Sequence, residues 1–241
     1  MGRTFENRKH AMAKRGDRDA KAFTRAGRQI AMAVKASGPD PDANPALRRA
    51  IQNARSVNMP KDKVQAAIDK AAGLGDDTNY EEIVYEGYGP HGVAILVEAA
   101  TDNPTRTVAN VRHAFSKGGG SLGTSGSVAF QFDVCGVFRI PAEGVERDEL
   151  ELELIDHGLE ELSDGQDDKG RAILVVRGSK ESFGSLQTAL EERKLEIVSS
   201  GIEWIPKTKT ALGESEEEEV VGLIDRLEQD DDVQNVFTNL E

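Results

Sequence analysis

The spacing of apolar residues changes near Tyr80, and this change limits the possible folds more than any other feature of the sequence. In the first 75 residues, apolar side chains recur at intervals of three and four, as they do on one face of a helix. The turn-forming runs at 38–41 and 58–60 divide this part into three helices, the first beginning at Asp17. Three helices joined by short turns predict a helical module at 1–78.

Strands and helices alternate in the rest of the chain. Residues 134–200 are predicted to form a strand, a helix, two strands, a helix and a strand, which is the order of ferredoxin-like domains. The flanking segments predict a hairpin, a helix and a strand before this unit, and a strand, a helix and a strand after it. We therefore predict an α+β protein with an N-terminal three-helix module and two ferredoxin-like α/β domains. The third domain, 134–200, is inserted in the second, which is formed by 79–133 and 201–241.

The composition excludes several classes of protein. Hydrophobic residues make up 38% of the chain, enough to fill cores, and no apolar run approaches the roughly 18 residues of a membrane span. Cys135 is the single cysteine, so the chain forms no internal disulfide and no thiolate metal cage. The basic start of the chain is not followed by an apolar stretch and therefore does not predict a secretory signal. We expect a cytoplasmic protein that makes no membrane contact.

Charge is distributed unevenly along the chain. The formal net charge is −13, but the first 75 residues carry +9 and the remainder carries −22. A basic surface attracts the phosphates of nucleic acid and an acidic one repels them, so the pair would present a single docking face.

Cationic residues recur at helical spacing within the basic part. Acidic residues that could pair with them at i,i+4 are few, and none lies between 20 and 39, which favours phosphate binding over a solvated salt-bridged face. The predicted nucleic-acid-binding residues are Lys14, Arg18, Lys21, Arg25, Arg28 and Lys35 on the first helix, Arg48 and Arg55 on the second, and Lys61 and Lys63 at the start of the third.

Enzyme motifs occur only in the wrong context. Ser121 lies in a G-x-S-x-G match, but this loop follows a helix and opens a strand, the reverse of a nucleophile elbow. The four histidines are scattered, and no His or Cys pair has metal-ligand spacing. We expect no catalytic residues, no metal and no cofactor, with a hydrolase using Ser121 as the unfavoured alternative.

Two further patterns have structural explanations. The acidic run at 230–232 predicts a solvated turn between the last helix and the last strand. Residues 128–132 predict a strand that buries Phe130 and Phe132 on one face, which argues against their use as stacking platforms for bases.

Several motifs spread over nearly the whole chain resemble the YebC/PmpR family. They include PDPDANPALR at 39–48, NMPKD at 58–62, YEGYGP at 85–90, VRHAF at 111–115 and GSVAF at 126–130. The resemblance implies a cytoplasmic, non-enzymatic, three-domain protein. Members are usually described as transcriptional regulators that bind promoter DNA. Related proteins, among them a mitochondrial translational activator of cytochrome oxidase, act with ribosomes, and bacterial members are linked to relief of stalling at proline runs. The resemblance therefore implies DNA or ribosomal RNA as a partner, with the transcription machinery or the ribosome.

Overall fold

The computed structural model describes residues 3–73, 79–167 and 170–241, with side chains of the first helix described from residue 20 onward. The first part forms three α-helices: α1 (Arg3–Ser37), α2 (Pro45–Ser56) and α3 (Lys61–Ala72). Their core includes Ile30 and Leu47, both fully buried. The buried Asn44 fixes the turn before α2, because its Oδ1 accepts from the Leu47 amide at 3.0 Å and its Nδ2 donates to the Ala33 carbonyl at 2.7 Å.

Helix α1 is longer than the sequence predicts. It begins at Arg3 rather than at Asp17, which lies inside the helix. Ala, Met, Lys and Arg dominate residues 8–15, and these residue types favour the helical conformation, so nothing ends the helix before Asp17.

The remaining described residues form eight strands and four further α-helices. The strands are β1 (Glu81–Tyr88), β2 (Ala94–Thr101), β3 (Ser121–Leu122), β4 (Phe132–Pro141), β5 (Leu159–Gln166), β6 (Ala172–Ser179), β7 (Ser199–Pro206) and β8 (Val233–Thr238). The helices are α4 (Pro104–Lys117), α5 (Arg147–Ile155), α6 (Phe183–Glu192) and α7 (Glu214–Leu227).

The strands form two antiparallel sheets of four strands each. The first sheet has the order β3-β1-β2-β8, and its two helices, α4 and α7, pack on one face. The second sheet has the order β5-β6-β4-β7, with α5 and α6 packed on one face. The chain order β-α-β-β-α-β with this strand order is the ferredoxin-like arrangement. The protein is therefore α+β, with N-terminal helices.

Strand boundaries around the second sheet differ from the sequence expectation. The sequence predicts two strands here, one closing the unit 134–200 (196–199) and one opening the segment after it (202–205). The structure has one strand instead: β7 runs through Gly201 and pairs with β4 along eight residues. Glycine is disfavoured in strands, yet here it sits opposite Val137 in regular register. The expected domain boundaries at 133/134 and 200/201 consequently fall inside β4 and β7. We propose that the inserted unit covers 132–206.

The segment before β4 also differs from the expected strand at 128–132. Residues Ala129–Gln131 form a 3-10 turn, and β4 begins at Phe132. Phe130 and Phe132 therefore do not share a buried face: Phe132 is 4% exposed, whereas Phe130 is 66% exposed. The turn replaces a strand because backbone amides in this segment donate to the Glu86 carboxylate instead of to a neighbouring strand.

Hydrogen bonds join the second sheet to the helical module and to the first sheet. The Asn53 side chain on α2 exchanges two hydrogen bonds with the Ser200 backbone on β7, at 2.8 and 3.0 Å. The Trp204 indole on β7 donates to Glu98 on β2 at 2.8 Å. Among the described helices, none is long and apolar enough to cross a membrane.

Candidate nucleic-acid interface

We call the predicted cations of α1 (Lys14, Arg18, Lys21, Arg25, Arg28 and Lys35) the α1 stripe. Two of them contact the C-terminal end of α7. Lys21 Nζ donates to the Gln229 carbonyl at 2.8 Å, and Arg25 Nη2 donates to the Glu228 carbonyl at 2.9 Å. Carbonyls at a helix C-terminus lack intrahelical partners and carry the negative end of the helix dipole. These two cations are therefore engaged within the molecule.

Arg28, the next member of the stripe, reaches a buried carboxylate. Its Nη1 donates to the Ala100 carbonyl and to Asp232 Oδ1, both at 2.7 Å. The second oxygen, Oδ2, accepts from Arg106 Nη2 at 2.7 Å and from the Thr107 hydroxyl at 2.6 Å. Asp232 thus joins α1 to α4 through the turn that precedes β8.

This contact corrects the expectation that 230–232 forms a solvated turn. The turn is present, but Asp232 is only 2% exposed. Burial by itself would raise the pKa of this carboxyl; the hydrogen bonds from Thr107, Arg106 and Arg28 and the charge of Arg28 outweigh burial and lower the pKa to about 2.

The lowered pKa predicts an acid-sensitive contribution to stability. Because the ionised form is favoured in the folded state, the contribution is complete above the ordinary pKa of 3.8 and disappears as the pH falls toward 2. A shift of this size corresponds to about 2 kcal/mol. We expect Asp232→Asn to remove this pH-dependent part of the unfolding free energy, measured by urea denaturation between pH 5 and 2. Asp231→Asn, at an exposed neighbour, is the matched control and should leave the pH dependence unchanged.

Arg48, on α2, and Lys35, in the last turn of α1, are further members of the predicted nucleic-acid-binding set. Arg48 donates to the carbonyls of Pro41 and Asp42, at 2.8 and 2.9 Å, and so braces the turn before α2. Lys35 is half-buried. The side chains of Lys14 and Arg18 lie outside the described residues.

Three of the predicted cations flank the turn between the second and third helices of the module. Arg55 lies in the last turn of α2, and Lys61 and Lys63 lie in the first turn of α3, on either side of the short turn at 57–60. All three residues are exposed. Lys63 Nζ lies 5.0 Å from the centre of the Phe23 ring, which leaves the ammonium at the surface. We call Arg55, Lys61 and Lys63 the basic corner.

The glycine-rich segment 118–126 is shaped by close packing. A Cβ at Gly120 would lie 2.5 Å from the Tyr88 carbonyl oxygen, and one at Gly123 would lie 2.5 Å from Ser127 Oγ. Gly126 has a φ of +84°, which side-chain-bearing residues rarely adopt. These glycines let the loop lie against β1.

Ser121, the nucleophile of the alternative hydrolase hypothesis, is exposed and lies opposite Tyr88 in the β1–β3 pair. The hydrogen-bonded histidines have other partners: His91 contacts Glu219 at 3.1 Å, and His157 contacts Ser185 at 3.0 Å. Among the described residues, no three His, Cys, Asp or Glu side chains are grouped as a metal site.

A cleft of about 690 Å³ lies between α4, α7 and the turn at 230–232. Cations and carboxylates both line it, among them Arg106, Lys117, Arg226 and Asp230. Because both signs of charge are present, the cleft does not select an anionic ligand by charge.

Sequence reasoning missed the roles of Glu86 and Phe130. Glu86 is 6% exposed, and its carboxylate accepts from the backbone amides of Gly126, Val128 and Ala129 at 2.6 to 2.8 Å. The available signal was a glutamate beside the glycine at the end of a predicted strand, followed some 40 residues later by a glycine-rich segment. Burial raises the pKa of Glu86 but the three amide hydrogen bonds outweigh it, so the pKa is lowered overall.

Two family models match nearly the entire chain. One, described as the TACO1/YebC protein N-terminal domain, matches residues 3–74, and the other, described as the TACO1/YebC second and third domain, matches 80–240. Relatives named "Probable transcriptional regulatory protein" match over their full length: one from Anaeromyxobacter dehalogenans is 58% identical over 100% of both chains, and one from Myxococcus xanthus is 55% identical over 100% of both.

A solved structure shows the same fold. The crystal structure of a conserved hypothetical protein from Aquifex aeolicus is 37% identical in sequence and aligns with a TM-score of 0.79, covering 92% of this chain and 90% of that one. The sequence resemblance to YebC/PmpR proteins is thus confirmed, and the chain belongs to the TACO1/YebC family.

Proposed function

We propose that this protein is a non-enzymatic regulator of gene expression that binds nucleic acid through its helical module. The observation that carries the proposal is the basic corner: three exposed cations flank one turn of a module of net charge +9, which is attached to a remainder of −22. Such a distribution attracts a phosphate backbone to the helical module and disfavours its binding over the acidic surfaces of the remainder. The names of the relatives support a role in transcription. We propose DNA as the first target to test.

Because three cations of the α1 stripe already have partners within the protein, the set of residues proposed to bind phosphate differs from the set predicted from the sequence. Lys21, Arg25 and Arg28 are hydrogen-bonded to other parts of the chain, so phosphate would have to displace those contacts. Arg55, Lys61 and Lys63 are exposed at the turn between two helices and need no such displacement. We therefore propose the basic corner as the principal phosphate-binding surface, with Lys14 and Arg18 as further candidates.

The double reversal Arg55→Glu/Lys61→Glu is expected to weaken binding to every DNA sequence by a similar factor. Each lost phosphate contact reduces the slope of log affinity against log salt by about 0.9, so the slope should become shallower by about 2. Fluorescence anisotropy with labelled duplex DNA at several salt concentrations measures both quantities. Circular dichroism checks that the fold is retained.

The matched control is Lys180→Glu/Lys194→Glu, which changes the net charge equally at exposed positions of the second sheet's unit. An equal loss of affinity in both variants would show that overall charge, rather than the basic corner, governs binding. Purified ribosomes replace DNA in a parallel series, because ribosomal RNA presents the same phosphates. The tighter of the two targets at matched salt identifies the process that the protein regulates.

A further inference from the structure

Among the phenylalanine, tyrosine and tryptophan side chains in the described part of the chain, Phe130 is the exposed one, at 66% exposure. Its neighbours on both sides are anchored: Val128 is fully buried and Phe132 is 4% exposed. Phe130 is therefore held outward between two core residues by the 3-10 turn at Ala129–Gln131. An exposed phenylalanine gives up the favourable burial of its ring. The anchored turn holds this ring in solvent, where it is accessible to a partner.

The turn that carries Phe130 is fixed by hydrogen bonds from three directions. Glu86 accepts the amides of Gly126, Val128 and Ala129 at 2.6 to 2.8 Å. The Gln131 side chain donates to the Tyr88 hydroxyl at 3.2 Å, which itself donates to the Ser127 carbonyl at 3.1 Å. The Gln131 carbonyl accepts from the Lys207 amide at 2.9 Å.

A lysine ammonium lies against the backbone of Phe130. Lys207 Nζ donates to the Phe130 carbonyl at 3.0 Å, and Lys209 is exposed two residues further on. Asp133 lies 3.4 Å from the Lys207 ammonium and offsets part of its charge. Proteins that bind single-stranded nucleic acid combine exposed aromatic rings, on which bases stack, with cations that attract the phosphates.

We propose that Phe130 is a stacking platform for an unpaired nucleobase, with Lys207 and Lys209 beside the adjoining phosphates. The proposal rests on the proposed function and adds a second contact to the basic corner. It also gives the two surfaces different tasks, because the basic corner binds phosphate and Phe130 binds bases. Because every base can stack on a single ring, this site would select unpaired nucleotides over paired ones but would not discriminate between base sequences.

The test compares the full chain and its variants on two probes, a single-stranded oligonucleotide and an abasic oligomer of equal length. The wild-type protein should bind the base-bearing probe more tightly. Phe130→Ala should lower its affinity for that probe by roughly 5- to 150-fold and leave the abasic probe unaffected. Phe130→Trp should retain the preference for bases, and the indole fluorescence should be quenched by the base-bearing probe alone.

The matched control is Leu152→Ala, which removes another exposed apolar side chain, at 71% exposure on α5, and should change neither affinity. If wild type binds both probes equally and Phe130→Ala changes nothing, Phe130 is no stacking platform, while the proposed function stands. If wild type binds neither these probes nor duplex DNA nor ribosomes, both proposals fail. Sedimentation that shows a dimer in wild type and a monomer in Phe130→Ala would assign the ring to a protein interface and overturn the stacking proposal.

Discussion

Replacing Asp232 with alanine is expected to lower the free energy of unfolding by about 3–5 kcal/mol. The substitution leaves Arg28, whose side chain is 14% exposed, without its carboxylate, and it removes one of the acceptors of Arg106 and of Thr107. A buried cation that loses its partner cannot regain full hydration, which is why the loss exceeds that of a surface ion pair. Urea denaturation followed by circular dichroism measures the effect.

Asp231→Ala provides the matched control, since Asp231 occupies the same acidic turn but is exposed. Its effect should stay within about 0.5 kcal/mol, as for most surface substitutions. Equal effects of the two variants would contradict the assignment of Asp232 as the residue that joins α1 to the first sheet. Asp232→Asn keeps the shape but not the charge, and its loss should be intermediate.

Glu86→Ala is expected to lower the free energy of unfolding by about 2–4 kcal/mol, because three backbone amides lose their acceptor. The Val128 amide belongs to a fully buried residue and cannot be hydrated without rearrangement of the loop. Hydrogen exchange at 126–129 should accelerate together with the loss of stability.

The control for Glu86 is Glu81→Ala, an exposed glutamate on the same strand. It should change the unfolding free energy by no more than about 0.5 kcal/mol and leave exchange in the loop unaltered. Protection at 126–129 that survives Glu86→Ala would show that the loop is held by its packing alone.

Helix and strand periodicity was sufficient to predict much of the fold. The three helices of the first part follow from apolar spacing and from turn residues such as Pro45, which stands at the first position of α2. The order β-α-β-β-α-β likewise followed from alternating elements, and the second sheet has it. The exact ends of the strands were harder to predict. β7 continues through Gly201, where the local sequence predicts a break between two strands.

The partners of the cationic stripe could not be predicted from local spacing. Arg25 and Arg28 have no carboxylate four residues away along α1, but the groups that receive their hydrogen bonds belong to Glu228 and Asp232, some 200 residues away. A search for pairs along one helix does not detect partners brought close by tertiary structure. The exposure of Arg55, Lys61 and Lys63 follows from the local fold, because all three flank the turn between α2 and α3.

Phe130 shows a different limit. Its alternation with Phe132 is typical of a strand, and the strand reading placed both rings in a core. The carboxylate of Glu86, 44 residues earlier, instead accepts hydrogen bonds from the Val128 and Ala129 amides. The segment therefore forms a turn, and the Phe130 ring points into solvent. A long-range hydrogen bond to the backbone has no periodic signature in the sequence.

Photocrosslinking of bound nucleic acid tests most directly whether the protein binds nucleic acid in the proposed way. The full chain is irradiated with 4-thiothymidine-substituted DNA and, separately, with 4-thiouridine-substituted ribosomal RNA, and the crosslinked peptides are mapped by mass spectrometry. We expect crosslinks in α2 and α3 around the basic corner, and at Phe130 when the nucleic acid has unpaired bases. Crosslinks confined to the acidic helices α5 and α6, or none to either nucleic acid, would contradict the proposed function.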